Sequence, residues 1–194
     1  MRRILTGILA TWAAVAEAHA ADVDQTGVSP RAAQTTRSSA FLSEMRLGAT
    51  AQDPGGPESG SANLTAEVLS LRPLTAVDPV LNLLIPRVHL GGSLNLNGQT
   101  SFAYVGLTWT FDVTSNVFVE GSFGGAVHNG KTDPAVLHRS ALGCTALFRE
   151  SGTLGVRLTQ DWSVMATVEH LSNAGLCSNN RGLTNVGVRV GYTF

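Results

Sequence analysis

His170 and Ser172 stand two residues apart in the segment Glu169-His170-Leu171-Ser172-Asn173-Ala174-Gly175. On a β-strand, residues i and i+2 share a face, so an imidazole and a hydroxyl would be presented side by side. Such a pair can do acyl chemistry: the imidazole takes the hydroxyl proton as the oxygen attacks an ester carbon. A third group must then fix the ring tautomer, and amide donors must hold the oxyanion. By itself His-x-Ser is a weak motif. Its neighbourhood gives it meaning. Val164, Ala166 and Val168 share its parity, and in the final segment Val186, Val188 and Val190 share parity with Thr184. The polar groups therefore project just above an apolar band, on a surface that lipid would touch.

The elements that must position this pair read as strands. The last segment, from Val186 to Phe194, alternates apolar with small or polar residues and closes on an aromatic. That is the pattern of the last strand of a transmembrane β-barrel. Similar segments recur upstream, separated by Gly, Pro, Asn, Asp and Ser. They predict strands over 42–50, 64–71, 87–96, 101–111, 117–127, 142–158, 162–172 and 183–194. The expected fold is all-β, an eight-stranded antiparallel transmembrane β-barrel, the smallest usual bacterial size. Between the second and third strands, 72–86 carries Pro73, Pro79 and Pro86. It reads as a periplasmic connection with a short helical turn, or as a widened strand end.

Parity sorts the side chains. Met45, Leu47, Val88, Leu90, Val105, Leu107, Phe123 and Val127 are expected outward. Glu44, Arg46, Arg87, His89, Glu120, Arg149, Arg157, Glu169 and Arg189 are expected inward. A narrow barrel buries these charges, so they must pair. In the sixth strand Leu142, Cys144 and Phe148 are expected outward. Glu150 has the same parity, although a lipid-facing wall tolerates charge poorly at mid-depth. A bulge near Gly152 would turn it inward. Trp109, Trp162 and Tyr192 fall near one end, as an aromatic girdle should.

The N-terminus reads Met1-Arg2-Arg3, then a mostly apolar stretch over 4–16, then Ala18-His19-Ala20. Residues 1–20 are expected to be a secretory signal peptide, with an apolar run too short to span a membrane. The polar stretch 21–39 is expected to be a flexible periplasmic tail, and 40–194 the barrel. The net charge of −1 gives no field that would attract nucleic acid. With an even strand count, both chain ends lie on the periplasmic side. His170 and Ser172 then sit at the outer-leaflet end of the wall, and the loop over 174–182 faces outside. Export permits a disulfide, and Cys144 and Cys177 both fall near strand ends on that side.

The run from Glu169 to Leu176, then Asn180-Arg181-Gly182-Leu183, then a strand ending in Phe194, resembles the carboxy terminus of the outer-membrane lipid A 3-O-deacylases. The resemblance covers roughly the last quarter of the chain after the signal peptide. It implies a barrel in the cell outer membrane that removes the ester-linked acyl chain at the 3 position of lipid A. Lipid A or lipopolysaccharide would be the substrate, no cofactor or metal would be needed, and a homodimer is an allowed assembly. By position, Ser172 would be the nucleophile and His170 the base. Asn180 would be an oxyanion donor, Gly175 would shape the hole, and Asn173 would support the site. The family's acidic residue falls on Thr184, whose hydroxyl could accept from the ring but carries no charge. Glu169 is adjacent but has inward parity; Glu150 shares the outward face on the neighbouring strand but is expected to lie too deep. Three options follow: a weakened Ser-His dyad, a relocated carboxylate, or a non-catalytic barrel with a lipid-binding, adhesive or structural role.

Overall fold

The computed structural model describes residues 41–134 and 137–194. The expected signal peptide and periplasmic tail lie outside the described residues. Eight strands close into one antiparallel barrel in sequence order. They are β1 (Leu42–Gln52), β2 (Ser61–Ser70), β3 (Arg87–Asn95), β4 (Phe102–Asp112), β5 (Val117–His128), β6 (Ala146–Arg157), β7 (Trp162–Ser172) and β8 (Leu183–Thr193). The barrel closes where β1 pairs with β8, from Glu44 opposite Thr193 to Gln52 opposite Asn185. Strands of 9 to 12 residues suit a tilted crossing, since roughly 10 residues span the apolar belt of such barrels. No helix among the described residues is long and apolar enough to cross a membrane; the crossing is made by strands.

The alternation in the sequence is the alternation in space. Leu47, Leu64, Leu90, Leu94, Val105, Val127, Leu154 and Val188 are all exposed on the outer wall. This belt is what a hydrocarbon layer would cover. At its lower edge Trp162 packs on Tyr192 and Tyr192 on Phe194, with ring centroids 4.9 and 5.5 Å apart. The connection between β2 and β3 contains one short helix, α1 (Pro79–Leu84). Asp78 caps it by accepting from the Val80 and Leu81 amides. Trp109 of the girdle donates to the Leu84 carbonyl at 2.9 Å. The proline-rich segment is therefore a connection with a helical turn, not a widened strand end.

The middle of the barrel is packed with paired charges, and below them a cavity of about 280 Å³ is lined by Glu44, Arg46, Arg87 and Glu120. Arg46 reaches Glu44 and Glu120 at 2.6 Å each and Glu67 at 3.3 Å. Arg87 joins Glu44 and Glu120. Higher up, the Arg149 guanidinium lies 3.8 Å from the Tyr104 ring centroid and pairs with Glu169 at 2.7 Å. Arg189 links Glu67 to Glu169. Every charge in this ladder has a partner, as burial demands. Glu67, which the sequence reading did not single out, is its central acid. Gly91 makes room for the Tyr104 ring: a Cβ there would fall 2.5 Å from Tyr104 Cζ.

Above the charges sits an apolar cap of Phe102, Tyr104, Ala126, Leu142, Leu147, Leu171 and Leu183. Here the structure corrects the sixth strand. It begins at Ala146, not at 142. Leu142 is fully buried rather than lipid-facing, because the loop before β6 turns at Gly143 (φ +78°) and folds Leu142 back over the barrel mouth. Cys144 likewise lies in this loop rather than on the wall. The second strand starts at Ser61, three residues early, with Ser61 and Asn63 buried inside.

Candidate functional site

The loops after β1, β3, β5 and β7 form one mouth of the barrel, and they are tied to one another. Glu58, fully buried in the first loop, accepts from Thr100 Oγ1 at 2.8 Å, Ser140 N at 3.1 Å and Arg139 Nε at 3.1 Å. Gln52 donates to the same carboxylate. Cys144 and Cys177 are joined, Cα atoms 5.8 Å apart, linking the β5–β6 loop to the β7–β8 loop. Asn173, 1% exposed, donates from Nδ2 to the Leu142 and Asn179 carbonyls. This collar fixes the loop that carries Asn180.

His170 and Ser172 end β7 on its outward face, both half-buried. His170 Nδ1 lies 2.8 Å from Thr184 Oγ1, its neighbour across the β7–β8 ladder. If Nδ1 carries the proton, the threonine hydroxyl accepts it and Nε2 is free to act as a base. The Cε1 and Nε2 edge packs against Gly182, whose own Cβ would fall 2.7 Å from Cε1. Gly182 is in the left-handed region (φ +71°), so glycine is required there twice over. Gly182 is legible in the sequence only as part of a motif, and nothing in the strand alternation marks it as the wall of the imidazole. No hydrogen bond joins Ser172 Oγ to His170 among the described residues. In unliganded sites such bonds are often long and tighten with substrate.

The loop residues are arranged asymmetrically. Asn180 accepts on Oδ1 from the Asn173 backbone amide at 2.9 Å, which orients its side chain and leaves Nδ2 to donate elsewhere. The Gly175 amide is already used: it donates to Asn173 Oδ1 at 2.8 Å. Gly175 thus shapes the turn at φ +81°, while the amide nitrogen of Asn180 is the donor left available. Beside Ser172 across the β6–β7 ladder stands Phe148, which stacks on Phe123 with centroids 5.9 Å apart.

The acids sort by face. Glu169 points inward and is held by Arg149 and by Asn185 Nδ2 at 3.1 Å. Glu150 points outward. The bulge that would have turned it inward is absent, because β6 pairs without a register shift against both neighbours. Glu150 is exposed and, rather than lying deeper in the wall as expected, is the direct cross-strand partner of His170, because β6 and β7 pair in continuous register.

Fold and site together define a small membrane barrel of the outer-membrane class, with an imidazole and a hydroxyl on its lipid-facing wall. A family model described as lipid A 3-O-deacylase (PagL) matches residues 70–193. The match covers more than half of the chain, which belongs to this family, and its place is the cell outer membrane. Among solved structures, the outer membrane enzyme PagL superposes with a TM-score of 0.59, over 79% of this chain and 99% of that one, at 16% identity. A de novo designed transmembrane β-barrel gives 0.51 over 79% and 96% of the two chains, at 12% identity. The N-terminal β-barrel domain of Pseudomonas aeruginosa OprF gives 0.51 over 79% and 98%, at 12% identity. These likenesses concern the fold. No curated protein sequence matches the chain.

Proposed function

We propose that this chain is a serine esterase that removes the 3-O-linked acyl chain of lipid A, with Ser172 as nucleophile and His170 as base. The observation that carries the reading is their shared outward face at the loop-bearing mouth, with His170 Nδ1 oriented by Thr184 at 2.8 Å. Nε2 takes the Ser172 proton as Oγ attacks the ester carbon. Asn180 Nδ2 donates to the oxyanion. Collapse breaks the bond to the sugar 3-oxygen, which takes the proton from the imidazolium. Water, activated by the same imidazole, then hydrolyses the acyl-enzyme. The products are a free 3-hydroxy fatty acid and a lipid A with one chain fewer. The packed interior supports sideways approach of the substrate from the membrane, with the acyl chains along the wall by Phe148 and Phe123.

The test is mass spectrometry of lipid A incubated with the purified protein in mixed micelles. Wild type is expected to lose the 3-linked chain, and Ser172→Ala and His170→Ala are each expected to abolish the loss. Wild type that leaves lipid A intact would refute the reading. Thr184 in place of an acid favours one second reading, a barrel that binds lipid without cleaving it. That reading predicts intact lipid A and binding unchanged by Ser172→Ala.

A further inference from the structure

His170 is bracketed by two outward-facing neighbours on adjacent strands. Thr184 of β8 lies on one side and is engaged at Nδ1. Glu150 of β6 lies on the other, at the same register position. Directly opposed residues on one face of an antiparallel pair hold their Cβ atoms roughly 4.5–5.5 Å apart. The Glu150 carboxylate forms no hydrogen bond or ion pair among the described residues. Its own surroundings on the wall are Phe148, Phe123 and the bare glycines Gly121 and Gly152, at which a Cβ would meet open space. An unpaired carboxylate in such a setting is costly. The other acid near this height, Glu169, is committed to Arg149 in the interior. Arg149 and Arg189 face inward too, and Arg181 sits in the exposed loop beyond Gly182. The group beside Glu150 that gains positive charge during acyl transfer is His170.

We propose that Glu150 is the positioning acid of this site: its carboxylate, across the β6–β7 ladder, stabilises the imidazolium that forms as Ser172 attacks. The two tasks that one acid performs in a Ser-His-acid triad are thereby divided. Thr184 orients the ring by a hydrogen bond, and Glu150 supplies the charge through space. The proton passes from Ser172 Oγ to His170 Nε2 and on to the leaving sugar oxygen, and Glu150 takes no part in that transfer. The inference rests on the Ser172–His170 reading above.

A charge acting at about 5 Å at an effective dielectric constant near 20 is worth roughly 300-fold in rate, and solvent screening of the exposed Glu150 lowers this to about 100-fold. The experiment compares wild type, Glu150→Gln, Glu150→Asp, Thr184→Glu and the double variant Glu150→Gln with Thr184→Glu. Two readouts are taken: kcat and KM for release of the 3-linked chain, and the rate at which a long-chain fluorophosphonate labels Ser172. Glu150→Gln is expected to lower kcat and the labelling rate by about 100-fold with KM little changed, since the loss is confined to charge in the transition state. Glu150→Asp should retain most of the activity. Thr184→Glu in the Glu150→Gln background should restore at least about tenfold, because charge returns on the other side of the same ring. Thr184→Glu alone is the control: its gain in the wild-type background is expected to be smaller than in Glu150→Gln, and equal gains in the two backgrounds overturn the proposal. The proposal is overturned if Glu150→Gln matches wild type, if its loss lies in KM alone, or if Thr184→Glu restores nothing. Wild type that is labelled at Ser172 but leaves lipid A intact would sink the lipid A assignment, and the labelling rates would still decide the role of Glu150. Wild type that is not labelled overturns both.

Discussion

Glu169 is the chain neighbour of His170, and the barrel buries it on the inner face, as its parity requires. Its side chain is fully buried and accepts from Arg149 Nε at 2.9 Å and Nη2 at 2.7 Å. Replacing Glu169 with Leu leaves Arg149 buried without a carboxylate, its remaining contacts being the Tyr104 face and Ser122 Oγ at 3.4 Å. Breaking a buried pair in this way costs about 3–5 kcal/mol. Replacing both members, Arg149→Met with Glu169→Leu, removes the stranded charge and is expected to recover most of that loss, leaving about 1–3 kcal/mol for the buried Asn185 Nδ2 donor that loses its acceptor. The assay is reversible urea unfolding in detergent micelles or lipid vesicles, followed by tryptophan fluorescence, with kcat for lipid A deacylation measured on each folded variant. If Glu169 served the imidazole, the double variant would be stable yet slower by about 10⁴, the loss seen when a triad loses its acid. An interior anchor predicts instead that the double variant keeps its kcat. A stability loss below about 1 kcal/mol in Glu169→Leu, or a collapse of kcat in the stable double variant, would refute the assignment.

Two further outcomes follow from the collar of loops. Replacing Cys144 and Cys177 with Ser opens a loop of sequence separation 33, which in the chain-entropy model costs about 4 kcal/mol; the urea midpoint with and without reductant reads this, and an unchanged midpoint would contradict it. Asn180→Asp keeps the oxygen that accepts from the Asn173 amide but replaces the free donor with a second oxygen, so kcat should fall by at least about 10²–10³ while heat-modifiable gel mobility shows the barrel intact; full activity would remove Asn180 from the oxyanion role.

Much of this fold is legible in the sequence because a barrel wall separates two environments. Each outward residue meets lipid and each inward one meets packed charge, so period-two alternation survives along nearly every strand. The bounds of β7 are those expected, and Glu44, Arg46, Arg149, Glu169 and Arg189 lie inside as parity requires. Legibility fails where the chain leaves the wall. Leu142 and Cys144 carry the parity of β6, but a left-handed Gly143 and a disulfide fold that stretch over the mouth instead. Ser61 and Asn63 look like loop residues by type, yet they are inward strand positions whose polar side chains face a polar interior. The contact of His170 with Thr184 could be anticipated from a family spacing. The position of Glu150 opposite His170 could not, because cross-strand register depends on the turn at 158–161 and on the absence of a bulge, neither of which a single strand encodes.

The arrangement also gives a reason for the proposed site to lie on the outside. An eight-stranded barrel has an interior just wide enough for side chains, and here it is taken up by the Arg–Glu ladder and the cap around Leu171 and Leu183. Leu171 seals that cap at 0% exposure, while its chain neighbours Ser172 and His170 face the other way. One strand end thus serves both faces: the inward residue fixes β7 against the core, and that rigidity is passed to the outward pair. The same logic holds across the ladder, where Arg149 and Glu169 clamp β6 to β7 from inside and so fix the spacing between Glu150 and His170 outside. A site on a lipid-facing wall has no pocket to hold its groups in place. On the proposed reading the packed interior and the cross-linked collar do that instead, and the membrane would deliver the ester to the wall.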